Sequence, residues 1–356
     1  MSSREVRVAA VSAQGAPAPA FRIRVLALRE PLAAEGVVLE PVALFGEEES
    51  AAFYGGSPPR RLRLFAAARR SYARRLASLD ARTVLVQRQV DLVPSLRLER
   101  RVAEGRRLVW DVDDAIWRSY NRWPRAALKG MPRRVGWLAQ TADHVIAANA
   151  VLAEHLGRYT DRISVVPSAV ETRGLAVRKH ADAEELVLGW IGSYSTVRYL
   201  AGVREPLARL ARELPERRIR LLVLGGRLAP IAGVEVECLP WSVERERAAL
   251  ARMDVGLVPQ PDTPWTRGKS AFKALQYMAA GIPAVADDVG VVAANVGGGG
   301  IVVRSAEEWV DALLRLARAP DLRQQLGDRG RARVEADFSV ERWAPVVAAI
   351  LRDDAP

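Results

Sequence analysis

The chain is 356 residues long, 49% apolar and 27% charged, an ordinary globular composition and more chain than one core of usual size holds. A single cysteine, Cys238, excludes an internal disulfide and fits a reducing compartment, and no run approaches the roughly 18 apolar residues of a membrane span. The net charge of +11 is lopsided: residues 1–180 carry 30 basic against 18 acidic side chains, whereas residues 181–356 carry 23 against 24.

The opening stretch MSSREVRVAAVSAQ lacks the apolar segment of a secretory leader, so a cytoplasmic protein is expected. Val6–Val11 predicts a first strand. A Gly/Pro/Ala-rich loop precedes a helix expected to run to Glu35 and stop at Gly36, and residues 37–44 predict a second strand. Residues 58–79, PPRRLRLFAAARRSYARRLASL, predict a proline-started helix carrying Arg60, Arg61, Arg63, Arg69, Arg70, Arg74 and Arg75. Short β-like runs follow at 83–87, 107–112, 143–149 and 162–170. The polar stretch 172–185 suggests a domain boundary near residue 180. Strands are then expected at 186–192, 218–226, 234–241, 254–259, 282–287 and 299–303, with helices between them at 196–215 and about 243–252. Helices fill 306–337, and a last one begins at Ser339. Such alternation implies parallel sheets of βαβ units. The expected molecule is α/β, with an N-terminal domain 1–180, a second domain 181–338 and a terminal helical segment 339–356.

Ligands of open parallel sheets bind beyond the carboxyl ends of the strands. After the strand LVLGWIG come Gly192, Ser193, Tyr194, Ser195 and Thr196. Gly192 permits close backbone approach, and Ser193 and Thr196 offer hydroxyls to an oxyanion or simply cap a helix. Neither a GxGxxG fingerprint nor a Walker loop is present. The stretch WTRGKSAFKALQYMAAGIPAVA, residues 265–286, sets Arg267, Lys269 and Lys273 around a helix start, where cations oppose the helix dipole. Lys269 and Ser270 are expected where free N–H groups point outward, with Lys273 one turn on and Gln276 placed to meet a hydroxyl. That setting suits an anion such as a diphosphate; an exposed basic turn is the plain alternative.

In the first half, Asp111, Asp113 and Asp114 follow the strand RLVW. Three carboxylates crowded there are costly without a purpose. One could orient or deprotonate a hydroxyl, they could hold a divalent metal, or they could serve turn and cap geometry. His144, His155 and His180 are scattered and none is expected to bind a metal. The Arg-rich helix and the stretch 121–137, where Arg125, Lys129, Arg133 and Arg134 alternate with Trp123, Met131 and Trp137, suit an anionic headgroup interface. A solvated basic face is the alternative; no recognition helix or stacking module supports nucleic-acid binding.

The segment DVGLVPQPDTPWTRGKSAFKALQYMAAGIPAVADDVGV resembles the donor-binding region of family 4 (group 1) glycosyltransferases, in particular a divergent branch with an RGK…FKALQYMAAG pattern. LGWIGSYSTVRYL, VEVECLPWSVERE and LVWDVDDAIW resemble the same branch, and the match runs from about residue 83 to 345. The resemblance implies a GT-B fold, two Rossmann-like domains facing across a cleft, with the last helix crossing back to the first domain. It implies a nucleotide-sugar donor on the second domain, a glycan or lipid-linked acceptor on the first, transfer with retention, and no metal or other cofactor. The donor contacts it implies are Gly192, Ser193, Thr196, Arg198, Lys269, Ser270, Lys273 and Gln276, with Trp241 in the region of the base.

The sequence departs from that family at several of these places. Gly268 and Gln276 stand where many members carry a pair of glutamates, and Ser193 and Arg198 fall at or near the places of a usual Arg and Lys. The Asp cluster stands near the place of a frequent histidine. Asp113 is expected to orient the acceptor, with Asp111 and Asp114 in support. The expected function is sugar transfer in cell-surface polysaccharide or glycolipid assembly, on or near the inner face of the membrane. The rivals are a sugar-nucleotide epimerase and a non-catalytic binding protein.

Overall fold

The computed structural model describes residues 5–54, 57–118 and 130–354. Its strands are β1 (Val6–Ser12), β2 (Val37–Ala43), β3 (Thr83–Gln87), β4 (Arg107–Val112), β5 (His144–Ala147), β6 (Ile163–Val165), β7 (Glu185–Ile191), β8 (Arg218–Leu224), β9 (Val234–Leu239), β10 (Val255–Val258), β11 (Ala284–Asp287) and β12 (Gly300–Val303). They form two six-stranded sheets, ordered β2-β1-β3-β4-β5-β6 and β12-β11-β10-β7-β8-β9. Every pairing between these strands is parallel. The α/β, doubly wound architecture expected from the sequence is therefore the one observed. The cause lies in strands such as TVLVQ and LVLGWI, apolar on successive positions and buried on both faces, which only helix-covered parallel sheets accommodate.

The chain divides into two compact units, residues 1–169 together with 340–356, and residues 170–339. In the first unit, the helix Val340–Arg352 lays Val340, Ala344, Val347, Ala348 and Leu351 into the core formed with Val8, Ala10, Leu85 and Val109. Their spacing is that of one helical face. The boundary lies about ten residues before the expected one. The polar segment after Val170 is not a free linker, because its backbone and side chains bond into the second unit: Arg178 N–H donates to Ala280 O at 2.8 Å, and Arg178 Nη2 meets Asp254 Oδ1 at 2.9 Å.

Two expected helices are interrupted for one reason. The segment 19–35 splits into Pro19–Arg24, a 3-10 turn Leu26–Leu28 and Arg29–Ala34, and the segment 196–215 becomes a 3-10 stretch Val197–Val203 followed by Arg204–Glu213. Each second piece begins REPLA. A proline tolerates the first turn of a helix but clashes with the carbonyl four residues back, so Pro31 and Pro206 each impose a new helix start. A helix at Glu47–Tyr54 was not legible in the acidic run that opens it.

Candidate functional site

Each sheet reverses its strand order beside its first strand, between β1 and β3 in the first unit and between β7 and β10 in the second. Loops leaving the carboxyl ends diverge there and open a crevice.

In the second unit the two flanking loops are Gly192–Thr196, after β7, and residues 259–271, after β10. Gly192 lies against Trp190: a Cβ at Gly192 would come within 2.3 Å of that indole. Lys273 Nζ stands over the same ring, 4.7 Å from its centroid. Trp190 thus joins the Gly192 turn to the helix Phe272–Ala279. The helix is pinned there a second time, because Tyr277 Oη accepts a hydrogen bond from Ile191 N at 2.9 Å. Gly225, at φ 86°, closes the other side; a Cβ there would lie 2.2 Å from Gly192 O and 3.3 Å from Trp241 Cβ. The ends of β7, β8 and β9 therefore meet beside the Lys273 helix.

The helix starts at Phe272, so Lys269 and Ser270 precede it rather than open it. Between them and the helix, Ala271 takes a left-handed φ of 52°. That conformation costs a non-glycine residue on the order of 1–3 kcal/mol and is commonest where function requires it. Lys269 Nζ stands 5.0 Å from the centroid of Trp265, and Ser270 O accepts from Asn295 Nδ2 at 3.0 Å. Arg267, counted with the two lysines in the sequence, instead pairs with Asp262 at 2.6 Å on the surface. Burial, and then the charge of Lys269, push the Lys273 amine down to about 7. Among the described residues no carboxylate pairs with Lys273. Two amines at the edge of a crevice, one of them costly to charge, form an arrangement that an anion would stabilise.

Ser193 Oγ lies 2.8 Å from Ser195 Oγ, and Thr196 Oγ1 accepts from Ser193 N at 3.3 Å, so these hydroxyls form one turn rather than a helix cap. Arg198 stacks over Tyr199 at 5.4 Å. Gln276 and Trp241 meet through Glu246, which no local sequence pattern marks.

In the first unit the three aspartates separate. Asp111 is fully used inside the unit: Arg24 Nε and Nη2 bind both of its oxygens at 2.5–3.1 Å, and Arg24 Nη1 donates to Val166 O. Asp113 and Asp114 share Arg88. Its Nε and Nη2 meet Asp113 at 2.5 and 2.7 Å, and Nη2 meets Asp114 at 2.5 Å. Arg88 holds this position with φ 60°, its backbone fixed by N–H donation to Asp111 O and by Trp110 Nε1 donating to its carbonyl. Ser12 Oγ donates to Gln87 Oε1, which turns Gln87 Nε2 onto Asp113 at 3.1 Å. The ends of β1, β3 and β4 are thereby linked at the reversal point. Burial opposes ionisation of Asp113, but the charge and hydrogen bonds of Arg88 outweigh it and hold the carboxyl below its usual value. Arg88, Gln87 and Arg24 were not singled out in the sequence, since nothing local marks a residue whose partner lies on another strand.

Among the described residues no cluster of histidine, cysteine or carboxylate side chains is placed to hold a metal ion. His144 bonds Ser164, His155 stacks on Trp117 and His180 bonds Gly281 O. Of the basic helix Pro58–Ala77, Arg60, Arg63, Arg70, Arg74 and Arg75 are exposed, with Arg75 Nη2 donating to Ala43 O at 2.7 Å. Arg69 instead clamps the buried Asp91 at 2.6 Å, and Arg134 pairs with buried Glu99 at 2.7 Å, which removes both from the surface set. Trp123, Arg125 and Lys129 lie outside the described residues. No helix among the described residues is long and apolar enough to cross a membrane.

Residues 185–319 match the family model described as glycosyl transferases group 1. No curated protein sequence matches the chain. Among solved structures, the sucrose-phosphate synthase of Thermosynechococcus elongatus is similar with a TM-score of 0.68 at 17% identity, over 98% of both chains. HepE of Anabaena, in complex with UDP-glucose, gives 0.68 at 14% identity over 98% of this chain and 99% of its own. A glycosyltransferase from Rickettsia africae gives 0.67 at 10% identity over 99% and 98%. The two-unit parallel α/β fold is that of the GT-B glycosyltransferases, and residues 185–319 carry the sequence pattern of group 1 glycosyl transferases.

Proposed function

We propose that the protein transfers a sugar from a nucleotide-sugar donor, bound by residues 170–339, to a hydroxyl of a glycan or lipid-linked acceptor that the first unit presents. The observation that carries this reading is the pair Lys269 and Lys273 beside the Gly192 turn, at the strand reversal of the unit that matches group 1 glycosyl transferases. Departure of a nucleoside diphosphate builds negative charge on its oxygens. Fixed cations and glycine-exposed backbone N–H groups placed there lower the barrier without reorganising. Lys269 and Lys273 are assigned that task, with Ser193, Thr196, Arg198 and Ser270 around the phosphates and Trp241 toward the base.

Asp113 is assigned to the acceptor. A carboxylate kept ionised by Arg88 accepts a hydrogen bond from a hydroxyl and aligns it, but is too weak a base to remove its proton early. Asp114 shares the same arginine, and Asp111 acts through the packing of Arg24. Retention of configuration, a reaction without resident metal, and a place in cell-surface polysaccharide or glycolipid assembly complete the reading, with the exposed arginines of helix Pro58–Ala77 meeting an anionic membrane surface. A thermal-shift panel of nucleoside diphosphates and sugar nucleotides tests the core of it. One nucleotide series should raise Tm in a concentration-dependent way; no shift from any of them would overturn the donor site.

A further inference from the structure

We infer that Asp287 and Asn295 are positioning residues, which fix the loop carrying Lys269 in the conformation that meets a diphosphate. The inference rests on the donor-site reading above and extends it to residues that act through others.

Residues 259–271, between β10 and the helix Phe272–Ala279, form a loop closed on itself. Its centre is the fully buried Thr266. Thr266 Oγ1 donates to Pro261 O at 2.5 Å and accepts from Thr263 N at 2.9 Å. Thr266 O accepts from Lys269 N at 3.0 Å and from the buried Gln260 Nε2 at 3.2 Å. The backbone of Lys269 therefore belongs to one hydrogen-bonded body. What anchors that body anchors the lysine.

The segment after β11 anchors it at three places, in order along the loop. Gln260 N donates to Asp287 Oδ2 at 2.6 Å. Gly290, at φ 63°, lies under Arg267; a Cβ there would come within 2.3 Å of Arg267 O, so only glycine fits. Asn295 Nδ2 donates to Ser270 O at 3.0 Å. Lys269 lies between the second and third anchors.

The first and third anchors are costly for structure alone. Burial pushes the Asp287 carboxyl above its usual value, and among the described residues its compensation comes from two neutral donors, Gln260 N and Trp309 Nε1, the latter at 2.8 Å. A carboxylate supplies there what an apolar side chain cannot, acceptors for both N–H groups. The Asn295 bond fixes the peptide just before Ala271, whose left-handed φ of 52° persists only where its surroundings over-determine it. A cation held in place beforehand needs no ordering when the anion arrives, which is the advantage such anchoring gives.

The test is calorimetry on the full chain with uridine, adenosine and guanosine diphosphates and the matching nucleosides. Asp287→Asn keeps the shape but turns an N–H toward either Gln260 N or Trp309 Nε1. Asn295→Leu removes the donor to Ser270. Each should lower affinity for the best-binding diphosphate about three- to tenfold, the size of one hydrogen bond, and leave its nucleoside within about twofold. Added to Lys269→Ala, either change should cost less than about twofold more, because its effect runs through that lysine. Thermal unfolding checks that each variant folds, and Asn295→Leu carries the test if Asp287→Asn does not. Equal losses for diphosphate and nucleoside, or the same loss with and without Lys269, would leave the two residues merely structural and overturn the inference. So would unchanged diphosphate affinity in both variants. Failure of every diphosphate to bind the unaltered protein would instead overturn the donor site itself.

Discussion

The amine of Lys273 stands 4.7 Å from the centroid of the Trp190 indole, and that ring is the surface against which Gly192 folds. The relationship ties a titratable group to the turn expected to meet the diphosphate. Because burial, with Lys269, holds the amine at about 7, it is largely neutral at pH 8–9 in the ligand-free protein. A bound diphosphate should raise that value, so binding should take up protons. Calorimetry in buffers of different ionisation enthalpy should show uptake between pH 7.5 and 9, and Lys273→Met should abolish it.

The same group sets a stability prediction. A lysine whose folded pKa lies below its unfolded value binds fewer protons in the native state over the interval between them. Stability therefore rises with pH from about 7 toward the ordinary lysine value, and the cost of charging the amine is fully present below 7. Lys273→Met should raise Tm at pH 6 and give little gain near pH 10. A Tm difference independent of pH would contradict this origin.

Lys269→Ala should weaken nucleoside diphosphate binding much more than nucleoside binding. A hydrogen bond to a charged group is worth about 1.5–3 kcal/mol, roughly a ten- to hundredfold change in affinity. Calorimetry with both ligands measures the difference directly, and equal losses would remove Lys269 from the phosphates.

Asp113→Asn should preserve donor binding while lowering transfer strongly, without a requirement for added divalent metal. Steady-state rates with and without chelator, alongside donor affinity, separate the alternatives. Activity that vanishes with chelator and returns with Mn²⁺ or Mg²⁺ would instead point to metal chemistry at the aspartates.

The exposed arginines provide the membrane test. Arg63, Arg70 and Arg74 replaced by Gln should reduce sedimentation with anionic liposomes at low salt and leave nucleotide binding intact. Each basic group near such a surface contributes about 1 kcal/mol, lost as salt screens it. Arg69 is excluded from the set because its removal would strand the buried carboxylate of Asp91. A parent protein that fails to sediment at low salt would end this reading alone.

Strand positions were legible because both sheets are covered on two faces, so each strand is a compact apolar run set off from its neighbours by polar or glycine-rich chain. Lys269 and Lys273 stand out in the sequence because two like charges near one helix start oppose its dipole, and the structure adds that the charge of one bears on the other. What escaped the sequence was every feature set by long-range pairing. Arg24 gives no local hint that it will bind Asp111, 87 positions away, nor Glu246 that it will bind Gln276, 30 positions away. The helix interruptions at Pro31 and Pro206 were readable in principle, since proline four residues after a helical carbonyl forbids continuity.

The return of residues 340–356 to the first unit makes the second an insertion whose two ends lie side by side. Val170 N–H donates to Phe338 O at 2.8 Å, and Val170 bridges Ser339. While residues 170–339 are unfolded, docking the last helix into its own core means closing a flexible loop of that length, an entropic cost on the order of 4–5 kcal/mol. Once they fold, their adjoining ends hold residues 169 and 340 together and that cost disappears. The insert thus works as a clasp for the unit that surrounds it. Residues 170–339 should fold when expressed alone, whereas 1–169 should need 340–356 spliced directly after it to reach the same stability.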